Sequence, residues 1–133
     1  MRYGEEWYDE LGAQDLCAEA QWTVEEYAPP ASDLLVAWLD GEAVGCVGFR
    51  ADDGFCEMKR MYVVPEARGH GVGRALAEAV LVAARAAGHT TMRLDTTEGM
   101  DVARRLYTAL GFEERTPYYD SPCRAPVFME RHF

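Results

Sequence analysis

Seven consecutive residues, Arg68-Gly69-His70-Gly71-Val72-Gly73-Arg74, constrain this chain more than any other stretch. They follow an apolar run that stops at Pro65. They open an alanine-rich run, Val72 to Ala87, that places Val72, Leu76, Ala79, Val80 and Ala83 on one helical face and Arg74, Glu78 and Arg85 elsewhere. Strand, glycine loop and helix mouth in that order leave free N–H groups and a partial positive charge at the loop, and glycines let a phosphate approach the backbone. The spacing predicts a pyrophosphate site, with charge-assisted contacts from Arg68 and Arg74. The other reading is a tight turn whose glycines bind nothing.

The flanking pattern supplies the context. Leu34 to Leu39 and Ala43 to Phe49 are apolar strands joined by Asp40-Gly41, a pair suited to the positive φ angles of a tight hairpin. After the turn Asp52-Asp53-Gly54, a third strand from Cys56 to Val64 completes an antiparallel meander that ends at Pro65, which has no N–H for a ladder. Thr91 to Thr96 alternates Met92 and Leu94 with Arg93 and Asp95; as strand-helix-strand, it is expected parallel to the third strand. A second helix spans Asp101 to Leu110, and glycines close both helices at Gly88 and Gly111. Phe112 to Thr116 and Val127 to Glu130 are short strands around an aromatic, proline-containing loop. The first 28 residues read as helix, with Tyr3, Trp7 and Leu11 at spacings of four, and Pro29-Pro30 ends them. Residues 1–133 are expected to form a single domain of the α/β (α+β) class.

Charge excludes some partners. The net charge is −10, so nucleic acid is an unfavourable partner. The imbalance is local, because residues 1–40 carry ten acids and only Arg2 as a base. No run approaches the roughly 20 apolar residues of a membrane span, and the acidic, aromatic start is unlike a signal peptide, so no membrane and a cytoplasmic location are expected. Cys17, Cys46, Cys56 and Cys123 lie far apart, as do His70, His89 and His132. Reduced thiols and no metal are expected.

Spacing separates the phosphate-binding motifs. A Walker loop needs Gly-Lys-Ser/Thr, which is missing. The dinucleotide pattern G-x-G-x-x-G fits Gly69 and Gly71, but Arg74 stands at the third glycine and a meander precedes the motif. Arg68, Gly71 and Gly73 instead fit Arg-x-x-Gly-x-Gly, which resembles the acyl-CoA pyrophosphate loop of the GNAT superfamily of N-acyltransferases. Two further segments resemble that family in the same order: Glu57-Met-Lys-Arg-Met-Tyr-Val-Val-Pro65 before the loop and Leu106-Tyr107-Thr-Ala-Leu110-Gly111-Phe112 after it. The likeness covers about Leu34 to Phe133. The tail with Pro117-Tyr118-Tyr119 and Phe128-Met129-Glu130 looks like a bacterial subgroup of the family.

The resemblance implies a mixed central sheet flanked by helices, with the third strand and the Thr91 strand diverging to admit the pantetheine arm of acetyl-CoA. Most relatives open with a strand that this chain lacks, leaving an edge that a homodimer partner would cover. Main-chain atoms of Met61 and Val63 would hold the pantetheine and thioester carbonyl, and amides of Gly69, His70, Gly71, Val72, Gly73 and Arg74 the pyrophosphate. The asparagine that many relatives use on the cofactor is Met100 here.

Acetyl transfer to a primary amine by direct attack is the implied reaction, so the amine's proton must go. At pH 7 an alkylamine is neutral only about once in 2,500 molecules, equivalent to roughly 4.6 kcal/mol. Glu57 matches the strand glutamate that serves some members as general base, directly or through water. Its other reading is an exposed carboxylate paired with an arginine. Tyr107 matches the tyrosine that faces the departing sulfur, or else packs in the core with Ala103, Leu106 and Leu110. The acidic first third, with Trp22, Tyr118 and Tyr119, is expected to wall a site for a cationic small-molecule or protein amine, or else to be a solvated helix with core aromatics. Ser32 and Ser121, the only serines, lie in no G-x-S-x-G elbow, which disfavours covalent hydrolysis. The rival from another class is a non-catalytic acyl-CoA-binding or sensing module.

Overall fold

A computed structural model describes residues 31–121 and 125–133. The helix expected before Pro29 lies outside them, as do Cys17, Trp22 and Cys123. The described elements are β1 (Asp33–Leu39), β2 (Glu42–Ala51), β3 (Cys56–Val63), a 3₁₀ turn (Pro65–Ala67), α1 (Val72–Ala86), β4 (Thr91–Thr97), α2 (Asp101–Ala109), β5 (Glu113–Arg115) and β6 (Pro126–His132). The β1–β2 hairpin turns at Asp40 and Gly41 with φ of 51° and 82°, the two positive angles that this turn demands.

The six strands form one mixed sheet in the order β1-β2-β3-β4-β6-β5. β1, β2 and β3 are the antiparallel meander expected from the sequence, and β4 runs parallel to β3. β6 inserts between β4 and β5, antiparallel to both. Among the described residues no strand lies outside β1, so β1 and β5 are the sheet's edges.

Two-residue periodicity splits the sheet into an apolar and a charged face. Cys56 and Met58 of β3, Met92 and Leu94 of β4 and Met129 of β6 join Leu76, Val80, Leu81 and Ala84 of α1 and Tyr107 of α2 in one core. Ala79, expected on the buried side of α1, is exposed, and Ala77, Leu81 and Ala84 are buried instead. Turning Leu76, Val80 and Leu81 inward removes most apolar surface from water, and that rotation carries Ala79 outward. The intervening residues Glu57, Lys59, Arg93 and Asp95 place charged groups on the opposite face.

Two irregularities open the middle of this sheet. β3 and β4 pair at only two positions, Cys56 with Met92 and Glu57 with Arg93. On the other side of β3, Gly48 pairs with Lys59 and Cys46 with Tyr62, so Arg60 and Met61 together face Val47 in a bulge. Arg60 takes a φ of 60°, which costs a non-glycine residue about 1–2 kcal/mol. The Cys46 thiol donates to the Arg60 carbonyl at 3.1 Å and helps hold the bulge. Beyond Glu57, β3 therefore turns away from β4 and leaves a fork between them.

Candidate active site

The glycine loop follows the end of β3 that has parted from β4. Gly71 caps α1 with φ 80° and ψ 7°, and Gly69 also has φ 80°. The first helical bond runs from the Ala75 amide to the Gly71 carbonyl at 3.0 Å, so the amides of Val72, Gly73 and Arg74 precede the helix ladder. The first turn holds no acidic residue and no side-chain cap. A Cβ at Gly69 or Gly71 would meet no atom within 4 Å. Open space over unpaired amides, at the positive end of a 15-residue helix, fits a diphosphate. His70 is exposed beside it.

Both arginines of the motif are engaged within the chain. Arg68 Nε donates to the Val63 carbonyl at 2.8 Å, and its guanidinium lies 5.5 Å from the Tyr62 ring centre. Arg68 thus ties the loop to the end of β3. Arg74 Nε pairs with Glu78 at 2.8 Å on the half-exposed flank of α1, a surface contact worth little in water.

Glu57 lies on the charged face at the closed end of the fork. It is 3% exposed, unlike the exposed carboxylate of the alternative reading, but it does have the arginine partner of that reading: Arg50, whose Nη2 donates to Oε1 at 3.1 Å. The Tyr118 hydroxyl donates to Oε2 at 2.7 Å, and Lys59 Nζ stands 3.8 Å from Oε1. Neighbouring Asp95 accepts from the Tyr119 hydroxyl at 2.7 Å. Tyr118 and Tyr119 pack with Phe55 and Phe128, at ring separations of 5.1 to 5.6 Å. The aromatic loop therefore lies over both carboxylates. Arg50, Lys59 and Asp95 escaped the sequence reading, although charges at every second position of β3 and β4 mark one shared strand face.

Tyr107 is 6% exposed in the core, edge-on to Phe112 with ring centres 5.9 Å apart. Its hydroxyl has no hydrogen-bond partner among the described residues, and no buried side-chain polar atom among them lacks one. Burial, and then the nearby Asp95 charge, push its pKa up to about 12. Tyr107 is a neutral hydrogen-bond donor throughout the physiological range.

Burial also pushes Cys46 and Cys56 up to about 12 and, aided by the Asp95 hydrogen bond, Tyr119 to about 12; burial and Glu57 raise Tyr118 as well. Each raised pKa contributes stability that is present below the ordinary value, near 9 for the thiols and 10 for the phenols, and that is lost as pH climbs toward 12. The melting temperature followed by circular dichroism is expected to fall by about 10 °C or more between pH 9 and pH 11. A flat profile there would show that these groups ionise in the folded protein as easily as in the unfolded chain.

Known proteins resemble this chain in sequence and fold. The Acetyltransferase (GNAT) family matches residues 2–112. An uncharacterized N-acetyltransferase of Schizosaccharomyces pombe is 36% identical over 132 residues, covering 97% of this chain and 81% of that protein. An IAA acetyltransferase of Azospirillum brasilense is 37% identical over 107 residues, 78% of this chain and 70% of its own length. The fold is that of a GNAT family acetyltransferase from Elizabethkingia anophelis solved with acetyl-CoA bound, with a TM-score of 0.67, 18% identity and 77% of each chain covered. Loop, fork and sequence agree, and the chain belongs to the GNAT family of acetyltransferases.

Proposed function

We propose that this acetyltransferase moves an acetyl group from acetyl-CoA to a primary amine by direct attack of the amine on the thioester. The observation that carries the reading is the fork itself: β3 leaves β4 after two paired positions, and the open amides of α1 lie at its end. Amides of Gly69 to Arg74 take the diphosphate, and main-chain donors at Met61 and Val63 face the pantetheine and the thioester carbonyl. Such donors stabilise the negative charge that grows on that oxygen.

Glu57 receives the amine's proton. Arg50 occupies Oε1 and the Tyr118 hydroxyl occupies Oε2, which supports a route through Tyr118. The amine's N–H proton passes to the Tyr118 oxygen as the Tyr118 proton passes to Glu57, so the phenol is never left ionised. Tyr107 then donates a hydrogen bond to the departing sulfur.

Release of free thiol from acetyl-CoA tests the reading, with diamines, amino acids, aromatic amines and peptides as acceptors at low and high salt. Amine-dependent release is expected, and Glu57→Gln should lower it at least about tenfold. Cationic acceptors should lead at low salt, given the acids of residues 1–40. A thermal shift with coenzyme A and no turnover of any amine would instead identify a binding module.

A further inference from the structure

Past the last paired position of β3 and β4, the next residues facing the charged side are Lys59 and Asp95. They meet across the widening gap, Nζ to Oδ1 at 3.4 Å, with side chains only 11% and 6% exposed. The second oxygen of Asp95, Oδ2, accepts the Tyr119 hydroxyl at 2.7 Å and the Ser121 hydroxyl at 3.4 Å. Lys59 also lies 5.3 Å over the Tyr119 ring. One carboxylate thus joins three pieces of chain: β3, β4 and the aromatic loop.

We infer that Asp95 is a positioning residue for acetyl transfer, which sets the spacing of β3 and β4 where the fork opens and fixes loop 117–121 as the acceptor wall. The inference rests on the acceptor side proposed above. Asp95 and Lys59 are both largely removed from water, and Glu57 also stands 3.8 Å from Lys59, so removing the Asp95 charge leaves Lys59 drawn to Glu57 on its own strand and uncouples it from β4. The Tyr119 and Ser121 hydroxyls turn that fixed point into an anchor for the loop. Asp95 also bears on Tyr107, whose ionisation its charge opposes. The glycine loop takes no part in this network, so binding of coenzyme A should be insulated from it.

The experiment uses the full chain and Asp95→Asn, which keeps the side chain's size and an acceptor for Tyr119 but removes the charge facing Lys59. Three measurements are compared with wild type: coenzyme A affinity by calorimetry, steady-state kinetics with the best amine of the panel, and hydrogen exchange in a peptide containing residues 118–121. Expected are a coenzyme A Kd within about twofold, an amine KM raised and kcat lowered about tenfold each, and loop exchange about tenfold faster. Unchanged loop exchange and amine KM would overturn the inference. So would a coenzyme A affinity that falls in step with turnover, the mark of general loosening. If Asp95→Asn does not fold, Tyr119→Phe decides: it spares the ion pair and should speed loop exchange and raise amine KM about threefold at nearly constant kcat, whereas no change in either sinks the clamp. A wild type that turns over no amine counts against acetyl transfer, while loop exchange still decides for or against the clamp.

Discussion

Gly71→Val is expected to weaken coenzyme A binding about 100-fold, equivalent to about 2.7 kcal/mol. Gly71 holds φ 80° as the cap of α1, where a β-branched side chain costs about 1–2 kcal/mol of backbone strain. Relieving that strain rotates the peptide that starts the helix and re-aims the amides of Val72 to Arg74. The added Cβ meets no protein atom within 4 Å, so the new side chain stands in the space through which the diphosphate must approach. Stability should fall by less than affinity, by a few degrees in melting temperature. Calorimetric titration checks the first effect and thermal melting the second. Full affinity in a folded Gly71→Val protein would move the diphosphate to another part of the molecule and remove the basis of the functional reading.

Tyr107→Phe should lower kcat about 100-fold while leaving the acetyl-CoA Kd within about twofold. With its pKa near 12, the phenol gives up a proton to a thiolate near 8.5 only uphill, by about 5 kcal/mol. On the proposed mechanism its contribution is a hydrogen bond that strengthens as charge collects on sulfur, a stabilisation realised in the transition state and scarcely in the bound substrate. The ring stays in the core, so melting temperature should hold and the loss should appear in kcat alone. Because the phenol remains protonated across pH 6 to 9, the wild-type rate should show no basic limb from this residue in that range. Unchanged turnover in Tyr107→Phe would leave Tyr107 as packing against Phe112.

The parts of the molecule set by local rules were readable in advance. Asp40-Gly41 could only turn a hairpin tightly, Pro65 could only end a ladder, and the glycines of 69–73 announced the start of a helix. Each of the strands and helices expected among the described residues was placed to within a few residues. What escaped notice depends on neighbours remote in sequence. The insertion of β6 between β4 and β5 is chosen by pairing across the sheet, which leaves no mark in either strand's own residues. The faces of α1 were blurred because alanine, abundant in that helix, favours helix without favouring a side. The partners of Glu57 could not be named because Arg50 and Tyr118 come from another strand and from a loop 61 residues away. Asp95 was visible only as a polar alternate of β4. Its contacts with Lys59, Tyr119 and Ser121 exist only once the strands lie side by side.

The left-handed twist at Arg60 leaves a signature that laboratory selection would expose. A codon-randomised position 60, sorted for soluble full-length protein, should enrich glycine and asparagine, whose backbones adopt φ near 60° most readily, and should deplete valine, isoleucine and threonine. The position sits inside a strand, where propensity tables rank those residues the other way round. Tolerance at this one site would thus run against strand statistics, because the bulge that turns β3 aside demands that backbone conformation at position 60.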